Sequence, residues 1–188
     1  HIVSRRQRQM CIRDRWKIAR PNLLITIVGG ARNFELQPPE LARLFSKGFA
    51  EAVTTAKAVV TTAGTDAGVA KLVADALAQS GSGLPVIGVA PYQKMTGWKE
   101  LPDGKNGEEV SYTHLPDPGK PGASAPLNHD HTHFVLVDSG ARTNWGTELH
   151  LRAEFEAAYA QMLHIPVAQL CVQGGPGTVT GLYESALT

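Results

Sequence analysis

Leu23-Leu24-Ile25-Thr26-Ile27-Val28-Gly29-Gly30 is a run of strand-forming side chains ended by two glycines. An apolar run without alternation is what a strand buried on both faces of a parallel sheet requires. Just downstream, Pro38-Pro39 open a segment with Leu41, Leu44, Phe45, Phe49 and Val53 at helical spacing. Proline suits the first turn of a helix, where its missing N–H would have no partner anyway. Residues 23 to 53 therefore read as one β-α unit with a tight glycine turn inside it.

The same pattern repeats outward. Ala58-Val59-Val60-Thr61 reads as a second strand, Gly64-Thr65-Asp66-Ala67-Gly68 as a tight loop, and Val69 to Gln79 as a helix stopped by Ser80-Gly81-Ser82-Gly83. Pro85 to Ala90 makes a third strand, His133 to Asp138 a fourth with Ser139-Gly140 as its turn, and Thr147 to about Leu163 a helix. A fifth strand over Ile165 to Val172 runs into Gln173-Gly174-Gly175-Pro176-Gly177-Thr178 and a new helix start. Strands separated by helical segments need crossover connections, so the fold class is α/β with a mostly parallel sheet covered by helices on both faces. The polar stretch 92–127, rich in Pro, Gly, Asp and Lys, is far longer than an ordinary α/β connection and is expected to be the least ordered internal segment.

Composition agrees with one globular domain: 188 residues, 43% hydrophobic, 19% charged, formal net charge +1. Disordered and collagen-like readings are excluded, and no apolar stretch reaches the length of a membrane span. Cys11 and Cys171 have neither CxxC nor Cys/His spacing, so they read as free thiols in a reducing compartment. The near-neutral charge hides a split, because residues 1–16 carry five Arg against one Asp and the rest of the chain is mildly acidic. That leader offers no apolar stripe and no interleaved aromatics, and its RRQRQMCIRDR resembles translated sequencing-adapter nucleotides. It is set aside as non-native or disordered, leaving residues 17–188 as the domain. With no initiator Met and a stop inside a helical pattern at Thr188, the domain reads as incomplete, truncated at its C-terminus.

Every Gly-rich turn falls at the carboxyl end of a strand, where open α/β sheets bind ligands. Gly29-Gly30-Ala31-Arg32, Gly64 to Gly68 and Gly174 to Thr178 each put small residues between a strand and a helix, so backbone N–H groups and a positive helix end can face a phosphate. Thr65 and Thr178 add hydroxyl donors. No GxxxxGK[ST] occurs and no GxGxxG is followed by a ribose-binding acid, which disfavours ordinary kinase, NTPase and NAD-dehydrogenase readings. Asp138 ends the fourth strand where acids meet ribose hydroxyls, with Arg142 and Arg152 close behind. Arg152 either pairs with Glu148 or aims its fork at a pyrophosphate, and the residues alone leave that open. His129, His131 and His133 alternate, so an extended backbone projects them to one side. With Asp130 and Asp138 nearby they suggest either zinc or a general base, or else a solvent-facing lead-in to the strand with one imidazole bonded to a neighbouring loop.

NLLITIVGGARNF, VVTTAGTDAGVAKLVADAL, NHDHTHFVLVDSG with LHLRAEF, and IPVAQLCVQGGPGTVTGLYESAL resemble, in collinear order, the amino-terminal homology region of melastatin-type transient receptor potential channels. That region is a Rossmann-like module of the SLOG superfamily with three layers. The resemblance implies a regulatory domain on the cytoplasmic side of a membrane in a cation channel, packed against the rest of the channel chain and against neighbouring subunits of a homotetramer. It implies no nucleic-acid partner, no metal and no required cofactor, with ADP-ribose or a related nucleotide as possible ligand. Residue by residue, Gly29, Gly30 and Arg32 match the first family loop, and Gly64, Thr65, Gly68 and Val69 the second. Arg152 matches the helix-start arginine that contacts ligand in nucleotide-gated members, and Gly174, Gly175, Gly177 and Thr178 match the last loop. One departure follows the third strand, where those members carry an aromatic and paired arginines. Here Tyr92, Trp98 and Lys99 stand instead, with no Arg between Arg43 and Arg142. Lysine does not reproduce a bidentate fork.

Two rivals remain. SLOG relatives include phosphoribohydrolases that cleave nucleoside monophosphates with an arginine and the glutamate of PGGxGTxxE. After Gly174 to Thr178 the nearest acid here is Glu184, too far along the helix for that role. The domain is therefore not expected to be an enzyme. The other rival is a structural layer that helps assemble the channel and binds no ligand.

Overall fold

The computed structural model describes residues 16–31, 36–100, 112, 124–140 and 144–188. Five strands form one sheet: β1 (Leu23–Gly29), β2 (Ala58–Thr62), β3 (Val86–Pro91), β4 (His133–Val137) and β5 (Val167–Val172). Four helices follow the sequence reading closely: α1 (Pro39–Ala56), α2 (Gly68–Gln79), α3 (Leu149–Leu163) and α4 (Pro176–Leu187). The sheet order is β4-β3-β2-β1-β5 and every pairing is parallel.

Alternation along the strands sorts side chains into two cores. Ile27, Ala58, Val60 and Val86 face α1 and α2, where Val53, Val69, Val73 and Leu77 complete one cluster. Leu24, Val59, Ile87, Val89 and Val137 face α3, where Tyr159, Ala160 and Leu163 complete the other. This is a three-layer α/β fold, and burial is greatest in β2 and β3, whose residues are all buried. Burying apolar surface at about 25 cal/mol per Å² on both faces is what makes the central strands near-continuous apolar runs.

Three local differences from the sequence reading have physical causes. Helix α3 begins at Leu149 and not Thr147, because Gly146 at φ +90° and a turn over 145–148 precede it. Trp16, counted in the basic leader, meets the His133 ring at 4.9 Å with the planes tilted by 43° and meets Phe155 edge-on, so it joins the α3-side core. The long connection after β3 begins as two 3-10 turns, Tyr92–Lys94 and Trp98–Glu100, while most of 92–127 lies outside the described residues and so does residues 1–15. The Tyr112 hydroxyl donates to Thr96 O at 2.8 Å and accepts from Leu127 N at 3.1 Å, which ties the connection to itself. Among the described residues no helix is long and apolar enough to cross a membrane.

Candidate functional site

Strand order places the carboxyl ends of β2, β1 and β5 side by side, so the first, second and last Gly-rich turns share one edge of the sheet. Strands β1 to β4 step across the sheet in one direction, and β5 then lands on the other side of β1. The reversal between β1 and β5 is the topological switch point, where a crevice opens in sheets of this kind.

The last turn is open. Gly174, Gly175 and Gly177 are exposed, and a Cβ at Gly175 or Gly177 would meet nothing within 4 Å. Gly174 has φ +145°, and a Cβ there would stand 2.5 Å from Thr178 Oγ1, so this position needs glycine. Thr178 Oγ1 accepts from Gly175 N at 3.4 Å and Thr178 N donates back to Gly175 O at 2.9 Å, which fixes the turn at the start of α4. Across the switch point, Gly30 likewise has open space where a Cβ would be. Arg32, beyond it, lies outside the described residues, as does Arg142.

The second turn is closed. Gly64 N donates to Thr62 Oγ1 at 2.9 Å, Asp66 N to Pro126 O at 2.9 Å and Val69 N to Gly30 O at 3.0 Å, while Gly64 O accepts from Asn128 N at 3.0 Å. Thr65 is buried and bridges antiparallel to Leu127. Gly68, at φ +56°, presses on the first turn, and a Cβ there would collide with Gly30 O. These donors are spent inside the protein, so Gly64, Thr65, Gly68 and Val69 form a seam between loops.

A hydrogen-bond chain runs beneath that seam. Thr62 Oγ1 lies 2.7 Å from His131 Nε2, His131 Nδ1 lies 3.0 Å from Asn128 Oδ1, and Asn128 Nδ2 donates to Asp66 Oδ1 at 2.8 Å. With Gly64 N donating to the hydroxyl, one assignment satisfies every partner: the hydroxyl donates to Nε2 and Nδ1–H donates to Asn128. His131 is thus neutral, and burial pushes its pKa down to about 4. Burial alone would raise the Asp66 carboxyl, yet the bonds from Asn128 and Lys71 hold it below the usual carboxylate range. The three histidines do not converge, correcting the one-sided reading. His131 is buried, His133 bonds Trp16 O at 3.3 Å, and the His129 side chain is 82% exposed.

Arg152 is also corrected in its surroundings. It is 5% exposed and pairs at 2.8 Å with Glu156, not with Glu148. Its Nη2 reaches Thr26 Oγ1 at 3.1 Å, Ile27 O at 2.9 Å and Thr61 O at 3.3 Å, between β1 and β2 under the loops. Glu148 is buried as well, and burial raises its pKa although Gly146 N donates to it. Asp138 stands at the end of β4, three strands from β1, and takes Gln93 Nε2 at 2.6 Å and Gly140 N at 2.8 Å. Tyr92 and Trp98 meet edge-on at 5.4 Å, with Lys99 Nζ 5.7 Å from the Trp98 ring. Glu184 is engaged by His150 Nδ1 at 3.0 Å.

Thr26, Glu156, Asn128 and His131 are the polar groups that sequence reasoning missed or misplaced. Threonine is an ordinary strand former, so Thr26 and Thr61 carried no signal. The four-residue spacing of Arg152 and Glu156 did carry one. A groove of about 500 Å³ between α1 and α2, lined by Arg43, Lys47, Thr54, Gln79 and Ser80, includes no residue of these turns.

Residues 5–188 match the family LSDAT_euk, described as the SLOG domain in TRPM. The chain is 34% identical to transient receptor potential cation channel subfamily M member-like 2 of Nematostella vectensis, aligned over 90% of this chain and 12% of that protein. It is 37% identical to transient receptor potential cation channel trpm of Drosophila melanogaster, over 90% of this chain and 9% of that protein. Subfamily M member 1 of Mus musculus is 33% identical, over 90% of this chain and 11% of its own length. The chain thus spans about a tenth of the length of these relatives.

Proposed function

The chain belongs to the LSDAT family of eukaryotes, the SLOG domain of TRPM channels, and from that premise we propose that it is a non-enzymatic, nucleotide-sensing regulatory domain on the cytosolic side of a cation channel. The observation that carries this reading is the open last turn at the β1–β5 switch point, with open space also at the Cβ position of Gly30 on the other side of that point. Gly30, Gly175 and Gly177 leave room for an anion against the backbone, and the start of α4 adds its positive end. Phosphate oxygens of a nucleotide fit that chemistry. The ligand is ADP-ribose or a related nucleotide, and the closed second turn serves as the wall of the site. Without paired arginines after β3, recognition rests on backbone donors, so affinity for a diphosphate is modest.

Calorimetric titration of the chain with ADP-ribose, AMP and NAD tests this. Saturable heat with at least one of them, lost in Gly175→Val, is the expected result. No heat with any of the three overturns the sensing role. The assembly reading gains from one observation, the exposure of Val179, Tyr183 and Leu187 along α4 and of Val167 and Leu170 on β5. Apolar surface of that extent suits contact with other parts of a channel assembly.

A further inference from the structure

Strands β1 and β2 part company below their loops. Their register ends at Thr26 with Thr61. Beyond that point β1 follows β5 as far as Gly29 with Val172, and β2 follows β3 to Thr62 with Gly88. A fork opens in the sheet just past the Thr26–Thr61 pair. The Arg152 guanidinium fills the fork, and its Nη2 donates to the carbonyls of Ile27 and Thr61. Each strand also gives a hydroxyl to Glu156 Oε1, Thr26 at 2.6 Å and Thr61 at 2.5 Å, and the same oxygen takes Arg152 Nε.

We propose that Arg152 and Glu156 are positioning residues of the phosphate site, a wedge from α3 that sets how far β1 and β2 stand apart beneath their loops. This rests on the nucleotide reading above. Ile27 lies three residues before Gly30 and Thr61 three before Gly64, so the wedge acts on both loop stems at equal distance. Its Nε and Nη2 are committed to protein acceptors, which ties the guanidinium to both strands. The pair is 5% and 4% exposed. Stability alone does not account for it, because buried ion pairs are commonly matched or bettered by apolar residues of similar volume. The planar fork accounts for it, since two strands at one fixed spacing need donors at fixed angles, which an ammonium lacks. Above the wedge, the Val69 N to Gly30 O bond closes the fork, and its geometry follows from the spacing below.

The test compares the 188-residue chain with Arg152→Lys and Glu156→Gln, using amide resonances of Gly30 and Gly64 without ligand, and calorimetric affinity for AMP and ADP-ribose. Both variants are expected to shift both glycine amides. Both are expected to lower affinity by the same factor, about tenfold or more, for the two ligands alike, the scale of losing a charge-assisted contact geometry. The double variant is expected to be no weaker than either single one. If Glu156→Gln leaves affinity intact while Arg152→Lys abolishes it, the arginine reads the ligand directly and the wedge is overturned. Unmoved Gly30 and Gly64 amides in both variants overturn it too. Should the charge variants unfold, Thr26→Val and Thr61→Val keep the charges and remove only the ties, with the same expected shifts. If the unaltered chain binds neither nucleotide, the sensing role fails and the ligand-free amide shifts still decide the wedge.

Discussion

The turns Gly64–Gly68 and Gly174–Thr178 are both five residues long with glycines and a threonine, occupy the same edge of the sheet and behave oppositely. In the first, Gly64 N, Asp66 N and Val69 N all have protein acceptors, and residues 126–128 zip onto it. In the last, the glycines are exposed and open space lies beside two of them. A glycine in a β-α turn is therefore either a demand of backbone packing or an opening for a ligand, and the space at its Cβ position separates the two where N–H partners do not, since Gly175 N and Thr178 N are bonded as well. Glycine spacing alone does not separate them either.

The largest expected effect breaks the closed turn. At Gly68 the backbone is left-handed and a Cβ would overlap Gly30 O, so Gly68→Ala combines strain with a clash against main chain. We expect a loss of about 3 kcal/mol or more, read by urea denaturation. A loss under about 1 kcal/mol would mean that the first and second turns do not depend on each other.

Acid should weaken the same turn through His131. Its folded pKa of about 4 lies below the ordinary 6.5. Between those values the unfolded chain holds the proton and the folded chain does not, so stability falls as pH drops from 6.5 to 4. The integrated loss is about 3 kcal/mol. Protonation would also leave the Thr62 hydroxyl facing an N–H in place of a lone pair. His150 works in the opposite sense, because Glu184 raises its pKa and its contribution is lost on going above 6.5. Glu148, raised by burial, gives up stability on going above 4.5. The difference between wild-type and His131→Gln stability curves over pH 4–7 isolates His131, and a flat difference would sink its role.

A smaller effect sharpens how the closed turn is held. Asn128 is fully buried, donates to Asp66 Oδ1, accepts from Asp130 N at 3.0 Å and meets His131 Nδ1. Asn128→Ala orphans Asp130 N and His131 Nδ1, leaves Asp66 Oδ1 with Lys71 Nζ alone at 3.0 Å, and should cost about 2 kcal/mol. Hydrogen exchange should quicken at Asp66 while the amides of Thr178 and Val179 stay unchanged. Quickening at both turns would show that they open as one unit.

The sheet was legible in the sequence because its central strands are unbroken apolar runs, and the helices because Pro39 and the glycine turns punctuate them. The edge shared by three turns followed from those elements. The closure of one turn was not legible, since Pro126 and Asn128 reach Gly64 and Asp66 across some 60 residues with no local pattern to announce it. Arg152 was legible as a singular residue but not in its role. Glutamates stand four residues to either side, Glu148 just before the helix and Glu156 within it, and only packing against Thr26 and Thr61 selects the second.

The smallest stability effect, with the largest effect on binding, is expected at the open turn. Gly175 has φ −137° and ψ −161°, extended backbone that any residue adopts, and nothing lies within 4 Å of its Cβ direction. Gly175→Val should therefore leave stability within about 0.5 kcal/mol of wild type. Its side chain would occupy the open space at the start of α4, and a phosphate there would lose its approach to the backbone. Nucleotide affinity should fall at least tenfold, by about 1.4 kcal/mol or more. The loss should not depend on which nucleotide is titrated, because the part displaced is common to all of them. Unchanged affinity in a folded Gly175→Val chain would reject the open turn as the phosphate site. It would leave the two turns different in packing but alike in lacking a ligand.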